Sequence, residues 1–436
     1  MIKIQTTTEM IESKGGLILA GKAANKIGLR SIQNKNVKNA GDIIKSFFGL
    51  MVEGKSDFES MAEKRKSLFF KEALDLPFVY AKDTVRLYLE KMAADTEGII
   101  RQLRECSIKK IRKAPLHGIW INNKHYLPVD VDTMAMDNSK TKKEGVSRTY
   151  RKYDGFHPIM AYMGREGYIV DCELRPGSQH CQKGTVEFIN GAIKLARDEH
   201  ISGRLLFRLD SGNDSFDTLK ATAVVEKGLY CIVKRNKRNE SDDKWLKIAK
   251  RYGKQVEDRE GKNVWIGTLD VPPRKKDEIL YGVKCVFQIT ERTSDYEGNQ
   301  YLIPEIEINS WWTNLDCEAE KVIDLYHDHA ISEQFHSELK HDMGIERLPS
   351  GKLAVNKIIF AVAMNAYNTL KMLGQKAIGR KWQKKHKRKR RGKVIQNIIC
   401  VAGKLVKHGR ELILKINERE PMLPIILRLN AALDFL

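Results

Sequence analysis

Two aspartates close apolar runs in this chain. Asp132 ends Pro128-Val129-Asp130-Val131, and Asp210 ends Leu205-Leu206-Phe207-Arg208-Leu209 and is followed by Ser211-Gly212. In an open α/β sheet the ligand crevice lies beyond the carboxyl ends of the strands, so an aspartate there is placed for chemistry. The plain alternative is a turn or helix-capping aspartate. Asp130 competes with Asp132, because strand alternation sends both to one face. A third acidic position comes from a helical segment, residues 324–342 (DLYHDHAISEQFHSELKHD). At about 100° per residue, Tyr326, His329, Glu333 and Lys340 fall within an arc of roughly 60°. One stripe thus presents a phenol, an imidazole, a carboxylate and an ammonium. Buried in a core, each would need a partner; on a solvated face the stripe would cost little.

The surrounding pattern says what must position these groups. Residues 1–110 read as mostly helical, with apolar residues at three- and four-residue spacing over 42–51, 56–74 and 83–103. They would serve as a small helical DNA-binding module or equally as packing material. From about residue 115 strands take over: 125–131, 156–163 and 168–174, then a helix over 185–197, the strand 205–209, a short helix from 214 to about 226, and the strand 229–233. That order predicts an α/β, RNase H-like core, whose first part spans 115–235. Residues 236–315 read as a β-rich insertion, with strands over 264–269, 283–290 and 306–312 separated by Pro, Gly and charged turns. The second part of the core, 316–375, carries the Glu333 helix and a further helix over 355–373. Residues 376–436 read as a basic, helical C-terminal region.

Charge is unevenly placed. Lys+Arg total 77 against 56 Asp+Glu, a formal net charge of +21. Residues 351–436 hold 20 Lys+Arg and 4 Asp+Glu, so most of the excess lies in the last fifth of the chain. Arg380, Lys381, Lys384, Lys385, Lys387, Arg388, Lys389, Arg390, Arg391 and Lys393 crowd one short run. Such a cluster neutralises phosphates and releases counterions, which points to a polyanionic partner rather than to a solvated tail. It has no apolar face for a lipid surface. No apolar run reaches the length of about 20 residues that a membrane span needs, and the N-terminal residues lack a signal-peptide pattern. The seven cysteines form no CxxC pair, which argues against a structural zinc site and for a reduced, cytoplasmic setting.

Three motifs in this order carry a resemblance. Tyr326-x2-His329-x3-Glu333-x6-Lys340 resembles the Y-x2-R-x3-E-x6-K signature of IS4-superfamily DDE transposases. RLDSGND around Asp210 is similar to their second-Asp motif, and VDVDT with its basic loop to the first-Asp region. HAISEQFHSELK, residues 329–340, is most similar to the IS1380-like branch, where His stands in place of the Arg. The likeness covers about 120–375. It implies a metal-dependent enzyme of DNA transposition, with Asp132, Asp210 and Glu333 as catalytic residues and ligands of two Mg²⁺ ions, Mn²⁺ able to substitute. It implies Tyr326, His329 and Lys340 on DNA phosphates, the basic run on flanking DNA, and cut-and-paste movement through hairpin ends. The implied partners are double-stranded DNA, both terminal inverted repeats and target, and a second copy of the chain in a synaptic homodimer, nucleoid-associated when bound and with no membrane. A Trp stacks on a flipped base in some relatives, and Trp265, Trp311 and Trp312 are candidates here, with a core role for them favoured. The competing readings are a non-catalytic DNA-binding relic and an RNase H-fold nuclease without strand transfer.

Other groups read as ordinary. His180, Lys183 and Gly184 precede a helix and could touch an anion, though a plain loop is the simpler reading. Asp171 and Glu173 read as edge or surface carboxylates. Arg208 either points at the active face or forms a salt bridge.

Overall fold

The computed structural model describes residues 3–295, 297–378, 389–409 and 411–434. Its centre is a ten-stranded sheet. The strands that matter for the site are β1 (Lys124–Thr133), β2 (Ile159–Met163), β3 (Tyr168–Glu173), β4 (Arg204–Leu209) and β5 (Leu229–Lys234). They lie in the order β3-β2-β1-β4-β5. β1, β4 and β5 run parallel, while β2 and β3 are antiparallel neighbours. This is the strand order of an RNase H-like core. β4 is buried from Leu205 to Leu209, so it carries an almost continuous apolar run rather than an alternating one.

The segment between β5 and the Glu333 helix extends the same sheet. A helix over Asp242–Tyr252 leads into β6 (Lys254–Arg259), β7 (Lys262–Leu269), β8 (Lys284–Ser294) and β9 (Gln300–Thr313). Its last strand, β9, pairs antiparallel with β5, Thr313 opposite Ile232. Trp311, 1% exposed, packs where the two meet, in a cluster with Leu206, Ile232, Val286 and Val322.

The helical layer is continuous from end to end. Helices α1 (Ala40–Val52) and α2 (Thr96–Arg112) pack on the long helix α5 (Leu353–Ile378). α1 is buried along nearly its whole length, including Phe47 and Phe48 at 0% exposure. The Glu333 segment is not one regular helix. It comprises α3 (Ala319–His327), a tight 3₁₀ turn over Asp328–Ala330, α4 (Ile331–Ser337) and a wide π turn over Glu338–Asp342. α5 is buried on nearly all sides, and the polar groups it carries inward find partners there. Its Asn368 both accepts from the Ile169 N–H (2.9 Å) and donates to the Ile169 carbonyl (2.8 Å), so it stands in for a neighbouring strand at the β3 edge. Gly167, in the turn before β3, has φ 72°, and a Cβ there would lie 2.1 Å from the Phe335 ring of α4. Only glycine lets that helix seat on the sheet.

Two expectations fail here. Gly403–His408 and Glu411–Ile416 are strands and not helix; the first pairs with Met10–Glu12. The second alternates exposed and half-buried residues, the signature of a hairpin covering a core on one side. Asp171 is not a surface carboxylate. It is 2% exposed and bonds Arg104 of α2 at 2.5 Å, because β3 is roofed by helices. Burial pushes its carboxyl up to about 6, with Arg104 opposing.

Because α1 belongs to the shared core, Phe47→Ala should destabilise the whole chain by about 3–5 kcal/mol. Urea denaturation monitored by tryptophan fluorescence checks this. The tryptophans lie outside residues 1–110, so an unshifted transition would show that the N-terminal helices form a separate unit.

Candidate active site

Asp130 and Asp132 sit two residues apart on β1 but in different surroundings. Asp130 is 1% exposed. The Arg208 guanidinium reaches it from β4 through Nε (2.6 Å) and Nη2 (2.8 Å), and its third arm, Nη1, donates to the Leu325 carbonyl of α3 (2.7 Å). His329 Nδ1 lies 3.0 Å from the same carboxylate. Burial alone would raise the Asp130 pKa, but the charge of Arg208 and the hydrogen bond from His329 outweigh it and hold it below the usual range. Burial alone would likewise lower that of His329, yet Asp130 outweighs it and the imidazolium is favoured. Arg208 therefore forms the salt bridge, and Asp130 is a neutralised, inward group.

Asp132 instead faces a cleft of about 880 Å³ that Asp210, Tyr326, His329, Glu333 and Lys340 also line. Its Oδ2 accepts from Ser332 Oγ at 2.8 Å, and its Oδ1 from the Thr133 N–H at 2.7 Å. His336 Nδ1 is 3.9 Å away. Burial lowers the His336 pKa to about 4, so this ring is neutral near pH 7. Asp210, just past β4, accepts from Asn213 Nδ2 at 2.7 Å. Its pKa is raised, first by burial and then by the negative charge of Asp132. Glu333 is exposed and, among the described residues, has no hydrogen-bond or ion-pair partner. No Lys or Arg forms an ion pair with any of the three carboxylates among the described residues. Lys340 Nζ donates to the Ala135 carbonyl at 3.3 Å, and burial raises the Tyr326 pKa. The tight turn and the wide turn replace the regular helix assumed for residues 324–342, yet the four stripe residues still line one cleft.

The donor set fits a hard divalent cation in kind, since carboxylate oxygens are what Mg²⁺ takes. Among the described residues, however, no three His, Cys, Asp or Glu side chains lie close enough to hold one ion. Asp132 and Asp210 repel each other at the strand ends, and Glu333 comes from α4.

Over residues 1–436 the sequence matches the family model described as transposase DDE domain, group 1. The chain belongs to this DDE transposase family. No curated protein sequence matches it. Among solved structures it is similar to a piggyBac transposase synaptic complex with hairpin DNA, at 10% identity over 88% of this chain and 76% of that one, TM-score 0.40. It is also similar to a Mos1 transposase paired-end complex with the left transposon end, at 13% identity over 38% and 55%, TM-score 0.17.

Several expected contacts of the transposase take other forms. Arg380, Lys381, Lys384, Lys385, Lys387 and Arg388 lie outside the described residues. Arg391 is not a free DNA-binding cation: it is 1% exposed, 3.5 Å from the buried Glu338 carboxylate, and over the Tyr367 ring. Arg390 is held by Asp342 (2.9 Å) and Ser337 (2.9 Å). Buried and half-buried acids below the cleft demanded these cations. Trp265 and Trp311 are core residues, and Trp312 donates from Nε1 to Asp214 (3.1 Å) beneath Arg235. His180, Lys183 and Gly184 are an exposed loop, with the Gly184 carbonyl taken by Arg175. No helix among the described residues is long and apolar enough to cross a membrane. Sequence reasoning overlooked Ser332 and Asn213, although each stands within three residues of a motif carboxylate. It also overlooked Tyr150, Arg151 and Tyr153, which line the cleft from the basic hairpin after β1.

Removing one partner of the buried pair leaves an uncompensated charge. Arg208→Met should therefore cost about 3–5 kcal/mol, and Arg208→Met with Asp130→Leu should regain most of it. Equilibrium denaturation of both variants decides. A single variant as stable as the wild type would mean the pair does not hold the site together.

Proposed function

We propose that this transposase cuts DNA at the ends of its own element and joins the freed 3′-hydroxyls to target DNA, with Asp132, Asp210 and Glu333 as the catalytic carboxylates. The observation that carries this reading is the contrast in the cleft: among the described residues, three carboxylates from two strand ends and one helix share it without an ion pair to Lys or Arg, while the acid beside them is fully neutralised. Uncompensated carboxylates gathered at one site are what metal-assisted phosphoryl transfer requires. Asp132, Asp210 and Glu333 would hold two divalent ions, Mg²⁺ or Mn²⁺, which when bound supply an activated hydroxyl and stabilise the leaving oxygen.

The chain's own groups do the rest. Ser332 and the Thr133 N–H orient Asp132, and Asn213 orients Asp210. Asp130 favours the protonated form of His329, whose other ring edge would then donate to a DNA phosphate at the cleft. Tyr326 supplies a hydroxyl and Lys340 a point charge for the same backbone. The run from Arg380 to Lys389 adds sequence-independent grip on flanking duplex. In this reading the core of 115–235 and 316–375 performs the chemistry, the strands of 236–315 extend its sheet, and the outer faces of residues 1–110 meet the terminal inverted repeats. The finer assignment is an IS4-superfamily, IS1380-like insertion-sequence enzyme that moves by cut-and-paste through hairpin ends, as a synaptic homodimer on cytoplasmic, nucleoid DNA.

A labelled duplex carrying the element end that flanks this gene provides the test. With Mg²⁺ the wild type should cut it. Glu333→Gln should lose at least about 100-fold in rate, since metal-borne charge stabilisation is worth several kcal/mol. Hairpin and joined products would distinguish a transposase from a plain nuclease. Binding without cutting by both proteins would overturn the catalytic reading.

A further inference from the structure

Asp210 stands on a short turn that ends against the strand insertion. Ser211–Asn213 form a 3₁₀ turn directly after β4. It is closed by the Asn213 N–H on the Asp210 carbonyl (3.1 Å) and by the Asp214 N–H on the Ser211 carbonyl (3.3 Å). Asn213 is buried, and its side-chain amide reaches back to the Asp210 carboxylate. The next residue, Asp214, is 6% exposed and does not line the cleft. Its Oδ1 accepts from Trp312 Nε1 of β9 (3.1 Å), and its Oδ2 from the Asn236 N–H just after β5 (3.0 Å). The exposed Arg238 guanidinium is 3.7 Å from Oδ2.

Trp312 is itself fixed. The Arg235 guanidinium lies 5.3 Å from its ring centre and 5.5 Å from that of Trp245. Glu240 takes two arms of that guanidinium, each at 2.6 Å, and also accepts from Trp245 Nε1 (2.8 Å). The Arg235 N–H donates to the Ser310 carbonyl of β9 (2.7 Å). The indole that meets Asp214 is therefore held in place by β5, β9 and the helix Asp242–Tyr252.

The chemistry above gives this network no task. A buried carboxylate is costly unless its oxygens are hydrogen-bonded. Both oxygens of Asp214 find N–H donors, and both donors belong to the insertion: Asn236 opens it and Trp312 lies on its last strand. Asp214 is thus fixed relative to two strands rather than to its own loop. That hold bears on Asp210. Like charges on Asp132 and Asp210 push the two carboxylates apart. Among the described residues, Asn213 is the residue that donates to the Asp210 carboxylate. A turn free at its far end would let Asn213 and Asp210 swing away together. A turn anchored by β4 at one end and by Asp214 at the other resists that push.

We propose that Asp214 is a positioning residue: by tying the Asp210 turn to Trp312 and Asn236, it makes residues 236–315 the abutment that fixes where the Asp210 carboxylate stands. The proposal rests on the reading of Asp210 as a catalytic carboxylate, and it gives the insertion a part in the reaction.

The test uses full-length protein and three variants. Trp312→Phe removes the indole N–H and keeps a ring for Arg235. Asp214→Asn leaves one oxygen for two N–H donors, and Asp214→Ala removes both acceptors. Hydrogen–deuterium exchange is read first, in EDTA. Exchange over residues 210–214 should rise by about 10-fold or more in each variant, roughly what one hydrogen bond to a charged group contributes. Exchange across β1 and β2 should match the wild type, which shows that the variants are folded. With Mg²⁺ and the element-end duplex, kcat per folded chain should fall by about 10- to 100-fold in Trp312→Phe with KM for DNA unchanged, because a misplaced group slows the chemistry without weakening binding. A merely structural role would leave kcat of the folded chains at the wild-type value. Trp312→Phe with Asp214→Asn should lose no more than the worse single variant, since both cut the same link. Unchanged exchange over 210–214 in Trp312→Phe, or a wild-type kcat in a variant whose turn has loosened, would overturn the proposal. A wild type that cuts nothing while the exchange responds as expected would sink the catalytic reading alone and leave the tie between turn and insertion standing.

Discussion

The buried bidentate pair between Arg208 and Asp130 joins three elements at one point. Asp130 belongs to β1, Arg208 to β4, and the third arm of the guanidinium ends on the Leu325 carbonyl of α3. Two of these elements end in a cleft aspartate, and the third leads into the turn that carries Glu333. Two charges removed from water must satisfy each other in full, and here that requirement sets the relative position of all three. The parallel register that puts Asp130 beside Arg208 also brings the ends of β1 and β4 side by side, so Asp132 and Asp210 emerge together.

Charge is sorted by depth. The buried acids away from the cleft opening have partners: Asp130 with Arg208, Asp171 with Arg104, Glu338 with Arg391, Glu166 with His117. Among the described residues, the acids on the cleft have hydroxyl, amide and N–H donors only, apart from His336 at 3.9 Å from Asp132, or no hydrogen-bond or ion-pair partner. Like charges left together raise one another's pKa, as Asp132 does to Asp210, and so store electrostatic free energy that a bound cation would release. A protein built for stability alone would have paired them.

Much of this was legible in residues. Apolar runs that stop at Asp132 and Asp210 announce strand ends, and the spacing of Tyr326, His329, Glu333 and Lys340 brings them to one cleft despite two irregular turns. What decides between Asp130 and Asp132 is not local. Both point the same way, and only the register against β4 shows which one meets Arg208. Likewise Arg390 and Arg391 look like the end of a solvated basic run until Asp342 and Glu338 are found beneath them. The strands Gly403–His408 and Glu411–Ile416 were hidden because the second (ELILKI) has alternation too short to outweigh its apolar, helix-compatible content. Asp214 could not be singled out either, since its partners Asn236 and Trp312 lie after β5 and on β9.

The central claim is that Asp132, Asp210 and Glu333 jointly hold divalent cations. Mn²⁺ binding followed by electron paramagnetic resonance, on wild type, Asp210→Asn and Glu333→Gln in the presence of a nicked duplex, tests it most directly. The account predicts two bound Mn²⁺ per wild-type chain and loss of at least one in each variant, with the fold unchanged by circular dichroism. Equal Mn²⁺ occupancy in all three proteins would contradict it.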